Sequence, residues 1–390
     1  MRFLVPTNWT KDLIIGIKDK TNFDEVYGRL SSDFIGGASC PHMPNFISKK
    51  QAYLHINELH KYNIQFNYFL NSACLGNKEF SISGQRKIQA LIQWLKKIEV
   101  DSITVSIPYL LRMIKKQYPQ FKVNVSLCAG IDSVQRAKYW EDLGADQLTL
   151  ASYKLNRNFQ LLKKIRKNIK SELALTLNSL CLYNCPSYQF HMGNLSAHAS
   201  QSKHYLSGFM VDYYLLNCRF LMLRNPVEII HSPWIRPEDV HYYEDIGIDK
   251  LKIIDGSALT KTILLRVKAY NDRYYDGNLM DLLDISSRNR LYMNSSPLRY
   301  FLQRFSVNSF KLMKIMKLPS DLGIYVDNRS LDGFLENFLR KNCDTDLCED
   351  CDYCRKIADK ALKIDEKLRK ELENRYKESV DEFSSGRIFR

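Results

Sequence analysis

The fold is decided by residues 102–151, SITVSIPYLLRMIKKQYPQFKVNVSLCAGIDSVQRAKYWEDLGADQLTLA. Three short runs rich in valine, isoleucine and leucine predict strands: Ser102–Ser106, Phe121–Leu127 and Asp146–Ala151. The two segments between them space their apolar residues as amphipathic helices do: Tyr109–Gln117 and Ser133–Leu143. This strand–helix alternation predicts a parallel sheet whose connecting helices cover it.

The same alternation continues on both sides of this stretch. Three further strands are predicted before it and three after it: Phe3–Pro6, Glu25–Leu30, Ile64–Leu70, Leu173–Asn178, Val227–His231 and Lys250–Asp255. Nine candidates over about 255 residues predict a TIM-like (β/α)8 barrel, an α/β fold, with one of the last two candidates outside the barrel. No GxGxxG loop follows any of these strands, which weakens the alternative of a doubly wound dinucleotide-binding sheet.

The pattern changes after Thr260, and the chain is predicted to divide into three parts. They are the barrel at 1–270, a helical extension at 271–342, and a cysteine-rich segment with a charged helix at 343–390. Within the last two parts, the sequence predicts a helix over Tyr300–Lys317, a short strand at Gly323–Val326 and a helix over Arg355–Glu382.

Composition restricts the class of protein. Of 390 residues, 45% are hydrophobic, which excludes a mainly disordered chain. The formal charge of +14 favours polyanions such as RNA, although spread-out charge also fits an ordinary basic surface. No apolar run approaches the ~18 residues of a membrane span, and no signal peptide is visible. A cytoplasmic location without membrane contact is therefore expected.

Ten cysteines in a reducing compartment indicate metal binding or catalysis rather than disulfides. Cys181 and Cys185, followed by Pro186, come directly after a predicted strand, where barrel loops build active sites. Two thiolates at this spacing can bind one metal or cluster, and Cys218 is a candidate third ligand. The alternative is that these are buried structural thiols.

A second group comprises Cys343, Cys348, Cys351 and Cys354. Four cysteines within twelve residues predict a metal site, since short turns direct pairs of sulfurs to one centre. Zinc and an iron–sulfur cluster both fit the spacing. The remaining cysteines occur singly and fit core or loop thiols, although any one of them could supply a missing fourth ligand: Cys40, Cys74 and Cys128.

Three polar residues on the predicted barrel loops are candidate catalytic residues. His191 and His198 follow the Cys185 turn and could transfer protons, or could be ordinary loop histidines. Arg236 could hold a carboxylate or phosphate, or could form a surface ion pair. Neither a GxSxG nor an HExxH motif occurs.

Four tracts together resemble peptidase family U32, the collagenase-like group, over roughly residues 1–270. They are FNYFLNSACLGNKE (66–79), ITVSIPYLL (103–111), LNSLCLYNCPSYQFHMGNLSAH (177–198) and SPWIRPEDVHYYEDIGIDKLKIIDG (232–256). The resemblance implies a TIM-like barrel. Members of this family include 4Fe–4S proteins that hydroxylate tRNA bases, rRNA bases or a ubiquinone precursor without dioxygen, with prephenate as the apparent oxygen donor.

The resemblance therefore implies an oxygen-independent hydroxylase, another oxidoreductase, or its partner subunit. It implies one or possibly two 4Fe–4S clusters, with zinc as an alternative at Cys343–Cys354. The fourth ligand beside Cys181, Cys185 and Cys218 stays open between Cys40 and a C-terminal cysteine. Expected partners are a small-molecule or RNA substrate, an anionic cosubstrate and a partner subunit. The alternatives are a U32-type peptidase and a non-catalytic RNA-binding protein with a structural metal.

Overall fold

The predicted strands form a closed parallel barrel in the computed structural model, which describes residues 1–31, 33–37, 47–200, 212–284, 307–319, 321–341, 343 and 351–390. The strands are β1 (Arg2–Pro6), β2 (Glu25–Gly28), β3 (Gln65–Leu70), β4 (Ser102–Val105), β5 (Lys122–Val125), β6 (Gln147–Thr149), β7 (Glu172–Thr176) and β8 (Lys250–Lys252). Each strand pairs with the next, and β8 pairs with β1. This closure confirms the predicted TIM-like barrel.

The helices connect the strands and pack outside them. Up to the end of the barrel they are α1 (Lys11–Ile17), α2 (Lys49–His60), α3 (Ile82–Lys97), α4 (Pro108–Gln117), α5 (Val134–Asp142), α6 (Ser152–Leu155), α7 (Phe159–Asn168), α8 (Tyr188–Ser200), α9 (Tyr213–Arg224), α10 (Val227–His231), α11 (His241–Asp245) and α12 (Thr260–Asp272). Local sequence sets their beginnings: the side chain of Ser81 accepts a hydrogen bond from the backbone N–H of Gly84 and caps α3.

One strand prediction is wrong. Val227–His231 forms helix α10, and Lys250–Lys252 takes the eighth place in the barrel. Pro226 precedes α10 with a helical φ of −61°, and the adjacent residues Ile229 and Ile230 are both buried. In a strand these two side chains would point to opposite faces.

Inside the barrel, polar side chains form a network across the strands. The ammonium of Lys250 on β8 donates to Glu25 on β2 at 2.7 Å and also contacts Glu172 on β7 at 3.1 Å. Asn67 Nδ2 donates to Glu25 Oε1 at 2.7 Å, and Thr104 Oγ1 donates to Asn67 Oδ1 at 2.8 Å. Since every charge in this network has a partner, the polar interior is compatible with burial.

The C-terminal extension contains strands β9 (Ile324–Val326) and β10 (Leu362–Ile364), which pair antiparallel. Its helices are α13 (Ser309–Met316), α14 (Glu336–Arg340), α15 (Tyr353–Ala361) and α16 (Glu366–Ser384). Strand β9 confirms the strand predicted at Gly323–Val326. The predicted helix over Tyr300–Lys317 is described only in part, as α13, because residues 300–306 lie outside the described residues.

The single helix predicted over Arg355–Glu382 is wrong, because β10 interrupts it. Leu362–Ile364 completes a ladder with β9, and Asp365 then caps a new helix, α16. The β9–β10 pair also joins the predicted extension at 271–342 to the segment at 343–390. In the part of the chain that the structure describes, no helix is long and apolar enough to cross a membrane.

Candidate metal site and catalytic residues at the barrel mouth

Cys181 and Cys185 lie in the loop after β7, at the carboxyl end of the barrel, as the sequence predicts. Both half-buried thiols pack against the apolar cluster that contains Tyr153 and Tyr188. The two tyrosine rings stack with their centroids 3.8 Å apart. The loop thus places the two thiols beside the two stacked tyrosine rings at the carboxyl end of the barrel.

The residue before Cys185 has a left-handed backbone conformation that a hydrogen bond holds in place. Asn184 adopts a left-handed φ of 48°, and its N–H donates to the carbonyl oxygen of Tyr153 at 2.9 Å. Burial raises the pKa of Cys185, while the backbone N–H groups of Ser187 and Tyr188 donate to its sulfur and oppose that rise. N–H donors to sulfur stabilise thiolate ligands and tune bound clusters.

The other members of the predicted ligand set are not assembled around this pair in the described structure. Within the described residues, no three His, Cys, Asp or Glu side chains form a group that could hold a metal ion. Cys218 lies on α9 and packs against the main core, and Cys40 lies outside the described residues. Ligation by Cys218 therefore stays a prediction.

His191 lies on α8 and forms a hydrogen bond with an aspartate. Its Nε2 is 2.9 Å from Oδ2 of Asp212, and both side chains are largely buried. Oδ1 of Asp212 accepts the N–H of Leu215 at the start of α9, so the aspartate is fixed by the helix it caps. A fixed carboxylate orients an imidazole for proton transfer. His198 belongs to the same helix, but its side chain lies outside the described residues.

Arg236 does not serve as an open anion clamp in this structure, contrary to the prediction. Its side chain is 2% exposed and forms a two-pronged ion pair with Asp239, at 2.8 and 2.9 Å. A third nitrogen donates to the carbonyl oxygen of Asn328 at 2.7 Å and to Asp332 at 3.0 Å. The guanidinium is thus occupied by contacts that join the barrel to the extension.

The C-terminal cysteines lie beside a buried arginine that the sequence analysis missed. Arg157 is fully buried between the rings of Trp234 and Phe334, each 4.7 Å from the guanidinium carbon. Burial lowers its pKa, and the nearby thiols of Cys354 and Cys343 act in the opposite direction. Cys351 is exposed, whereas Cys348 lies outside the described residues. Only the folded chain reveals this arginine, since its sequence context has no distinguishing motif.

A second missed residue is Lys252, the last residue of β8. Its ammonium nitrogen lies 4.1 Å from the ring centroid of Tyr27 and 3.9 Å from that of Phe69. Burial lowers the pKa of Lys252 to about 7. The run Lys250-Leu251-Lys252 does indicate a polar site in the sequence. Alternate residues of a strand share one face, and these two lysines occur in a predicted barrel strand.

Comparisons with known proteins establish the family. The sequence model of Peptidase family U32 matches residues 44–184. A protein from Methanocaldococcus jannaschii, named an uncharacterized protease, is 32% identical over 333 residues, which span 85% of this chain and 87% of that protein. This chain belongs to peptidase family U32. The matched segment of this U32 protein includes Cys181 and ends one residue before Cys185.

Solved structures similar to this U32 protein include a U32 peptidase and a tryptophan synthase subunit. The U32 peptidase is 20% identical with a TM-score of 0.49, and the match covers 66% of this chain and 93% of that one. The tryptophan synthase A-subunit of Pyrococcus furiosus is 12% identical with a TM-score of 0.38, and the match covers 72% and 96%.

Proposed function

We propose that this U32 protein is an iron–sulfur-dependent oxidoreductase, namely an oxygen-independent hydroxylase or its partner subunit. The observation that carries the proposal is the pair Cys181 and Cys185 at the carboxyl end of the barrel, with two backbone N–H groups directed at the sulfur of Cys185. Barrel enzymes place their chemistry at this end. The proposal locates the protein in the cytoplasm, where thiols stay reduced.

The donor set fits a cluster in its chemistry, although the described residues supply only part of it. Cys181 and Cys185 would provide two thiolates of a 4Fe–4S cluster, and Cys218 with one further cysteine would complete the four. When bound, the cluster supplies one-electron transfer. The chain itself provides the N–H donors that stabilise thiolate charge and the stacked rings of Tyr153 and Tyr188 that exclude water on one side.

In the proposed reaction, His191 transfers protons to or from the substrate. Asp212 fixes one ring nitrogen, which leaves the other available for exchange with a substrate at the barrel mouth. Tyr188 does not compete for this role, because burial raises its pKa well above the ordinary value and keeps the phenol neutral. His198 is proposed as a second proton carrier on the same helix.

The C-terminal cysteines are proposed to bind zinc or a second cluster. Arg157 places a buried positive charge beside Cys343 and Cys354, which favours an anionic thiolate centre there. Tyr153, which lies on α6 just before Arg157, packs beside Cys181 and Cys185. A metal centre at Cys343 and Cys354 would therefore be separated from a centre at Cys181 and Cys185 by helix α6.

The substrate class is proposed to be a nucleic-acid base or a small metabolite. The charge of +14 supports attraction of a polyanion such as RNA. An anionic cosubstrate would need a cation other than Arg236, since the contacts of that guanidinium are already made inside the protein.

A peptidase is the second candidate function, and one contact favours it. The His191–Asp212 pair places a carboxylate against an imidazole, as in nucleophilic hydrolases, but through Nε2, so Nδ1 would be the base. The Methanocaldococcus jannaschii relative is also named a protease. A peptidase would retain proteolysis after removal of iron, whereas the oxidoreductase would not turn over without it.

Anaerobic purification with counts of iron, sulfide and zinc per chain tests the proposal, together with absorption and spin-resonance spectra. We expect iron with matching sulfide in the wild-type protein, loss of the cluster in Cys181→Ala and Cys185→Ala, and full content in Cys74→Ala. Cys74 is an exposed thiol outside the pair and serves as the matched control. A folded protein without iron, or an iron content unchanged by Cys181→Ala, would contradict the proposal.

A further inference from the structure

Two lysines on the inner face of β8 have opposite environments. Lys250 contacts two carboxylates, Glu25 at 2.7 Å and Glu172 at 3.1 Å. The side-chain nitrogen of Lys252, two residues later, makes no hydrogen bond or ion pair with any residue that the structure describes, and it lies over the rings of Tyr27 and Phe69. The two side chains share a strand and a face, so the difference arises from their neighbours alone.

The groups that face Lys252 from the surrounding strands supply no contacting counter-ion. Glu25, the nearest carboxylate, is bound to Lys250 and Asn67. The phenol of Tyr27 donates to the carbonyl oxygen of Ile253 at 2.6 Å, and burial raises its pKa well above the ordinary value. Cys128, after β5, is a buried thiol whose pKa burial also raises. All of these neighbours are neutral or already paired.

Burial without a counter-ion favours the neutral amine. Transfer of an unpaired ammonium from water into a protein interior is costly, and the group loses its proton instead. The pKa of Lys252, lowered by burial to about 7, is consistent with this environment, although Cys128 and Glu25 oppose the shift. By contrast, the charge interactions of Lys250 with Glu25 and Glu172 outweigh its burial, and its pKa is raised. A neutral lysine amine in an apolar site is a nucleophile.

A hydroxyl without a hydrogen-bond partner lies on the strand beside Lys252. Thr176 on β7 is paired in register with Lys252, so both side chains project from the same face of the sheet. The threonine is 1% exposed, and its Oγ1 has no hydrogen-bond partner among the described residues. Lys252 keeps 7% exposure and lies at the carboxyl end of its strand. The site therefore offers an amine and an adjacent hydrogen-bond donor.

We propose that Lys252 forms a Schiff base with a small aldehyde or ketone, whose carbonyl oxygen accepts a hydrogen bond from Thr176. The nitrogen lone pair attacks the carbonyl carbon, a C–N bond forms, and the oxygen receives a proton that the nitrogen releases. The hydroxyl of this carbinolamine then takes up a proton from solvent, the C–O bond breaks and water leaves to give the protonated imine, so the step needs no oxidant or reductant. The rings of Tyr27 and Phe69 form an apolar wall that limits hydrolysis. This activity is separate from the cluster proposed above.

Reductive trapping on the purified full-length protein tests the proposal. The protein is treated with acetaldehyde and cyanoborohydride between pH 6 and pH 9, and modified lysines are located by peptide mass spectrometry. We expect Lys252 to be trapped half-maximally near its pKa of about 7. A lysine amine with the ordinary pKa of ~10.4 is about a thousandfold less deprotonated at pH 7. Lys268, whose side chain is 74% exposed, is the reference site for reaction with the reagents.

Three variants separate the parts of the proposal. Lys252→Met should abolish trapping at this position without unfolding the protein, because it replaces a buried unpaired amine by an apolar side chain. Lys252→Arg should place a permanently charged guanidinium at this position and lose the trapping. Thr176→Val should slow trapping about fivefold, the effect of one hydrogen bond. Absence of modification at Lys252 while the exposed Lys268 reacts, or trapping at Lys252 that keeps rising up to pH 9 without a midpoint, would overturn the proposal.

Discussion

At the scale of single residues, burial and partners decide what a charged side chain does. Arg236 and Lys252 are both buried cations near the carboxyl end of the barrel. Arg236 has two carboxylates and a carbonyl oxygen as partners, whereas Lys252 has aromatic rings. The first is therefore fixed as a structural cation, and the second is free to lose its proton. The sequence predicts neither outcome, because the partners come from other elements.

Arg236→Ala is expected to lower the free energy of unfolding by about 3 to 5 kcal/mol, the cost of leaving a buried carboxylate without its partner. Asp239, 5% exposed, is that carboxylate. Urea unfolding monitored by circular dichroism measures the change. The control is Arg355→Ala, whose side chain is 66% exposed and should change stability by less than about 1 kcal/mol. Equal small effects in the two variants would contradict the structural role of Arg236.

His55 should make stability depend on pH. Burial lowers its pKa from 6.5 to about 4, so between these values the unfolded chain binds the proton and the folded chain does not. The free energy of unfolding should therefore fall as pH decreases from about 6.5 to about 4, by about 3 kcal/mol from this residue.

The variant His55→Gln isolates this contribution. Its side chain can still contact Oγ1 of Thr7, which lies 2.9 Å from Nε2 of His55 in the wild-type protein, but it does not titrate. Urea unfolding of both proteins at several pH values gives the difference in slope. Parallel pH profiles for the two proteins would show that His55 is protonated equally in both states.

At the scale of elements, periodicity identified most helices and strands but not where the chain changes from one to another. The apolar stripe over Arg355–Glu382 has helical spacing on both sides of Leu362–Ile364, so local sequence favours one helix. The strand forms because β9, almost forty residues earlier, provides a ladder partner. Tertiary pairing thus overrides local propensity at this position.

Asp365 marks this change of element and should contribute to stability as a cap. Its side chain accepts the backbone N–H groups of Lys367 and Leu368 at 2.9 and 3.0 Å. Asp365→Ala should cost about 1 kcal/mol, and Asp365→Asn should retain most of that stability because asparagine caps equally well. Thermal unfolding of the wild-type protein and the two variants measures these changes in stability. If the asparagine variant is as unstable as the alanine variant, the charge rather than the cap is responsible.

At the scale of the whole molecule, the extension is bound to the barrel through its last long helix. Helix α16 packs along α9, the helix that carries Cys218 and begins at Asp212. The phenol of Tyr376 accepts from Arg219 of α9 at 3.1 Å and donates to the carbonyl oxygen of Pro319 at 2.7 Å. The extension therefore supports the helix whose start orients His191.

Tyr376→Phe should lower the free energy of unfolding by about 1 to 3 kcal/mol, because it leaves a buried guanidinium donor and a buried carbonyl oxygen without this partner. Tyr376 is fully buried. Tyr53→Phe, on an exposed position of α2, is the matched control and should have almost no effect. Denaturant unfolding compares them. A change equal to that of the control would show that the contact between α16 and α9 does not depend on this hydroxyl.

The sequence by itself determined the parts of this protein that depend on local patterns. The barrel strands alternate with helices along the chain, and Cys181 and Cys185 follow shortly after one strand, so the barrel and the place of the thiol pair were predictable. The helix at Val227–His231 was not predictable, because the adjacent Ile229 and Ile230 fit a buried strand as well as a helix.

Only the tertiary structure decided which charged groups have partners. Arg236 binds the carbonyl oxygen of Asn328, and Arg157 lies between Trp234 and Phe334, all far away along the chain. Lys250 and Lys252 are nearly adjacent in sequence, yet one contacts two carboxylates and the other two rings. The physical reason is that charge state depends on burial and on distances to groups from other strands, which no local pattern specifies.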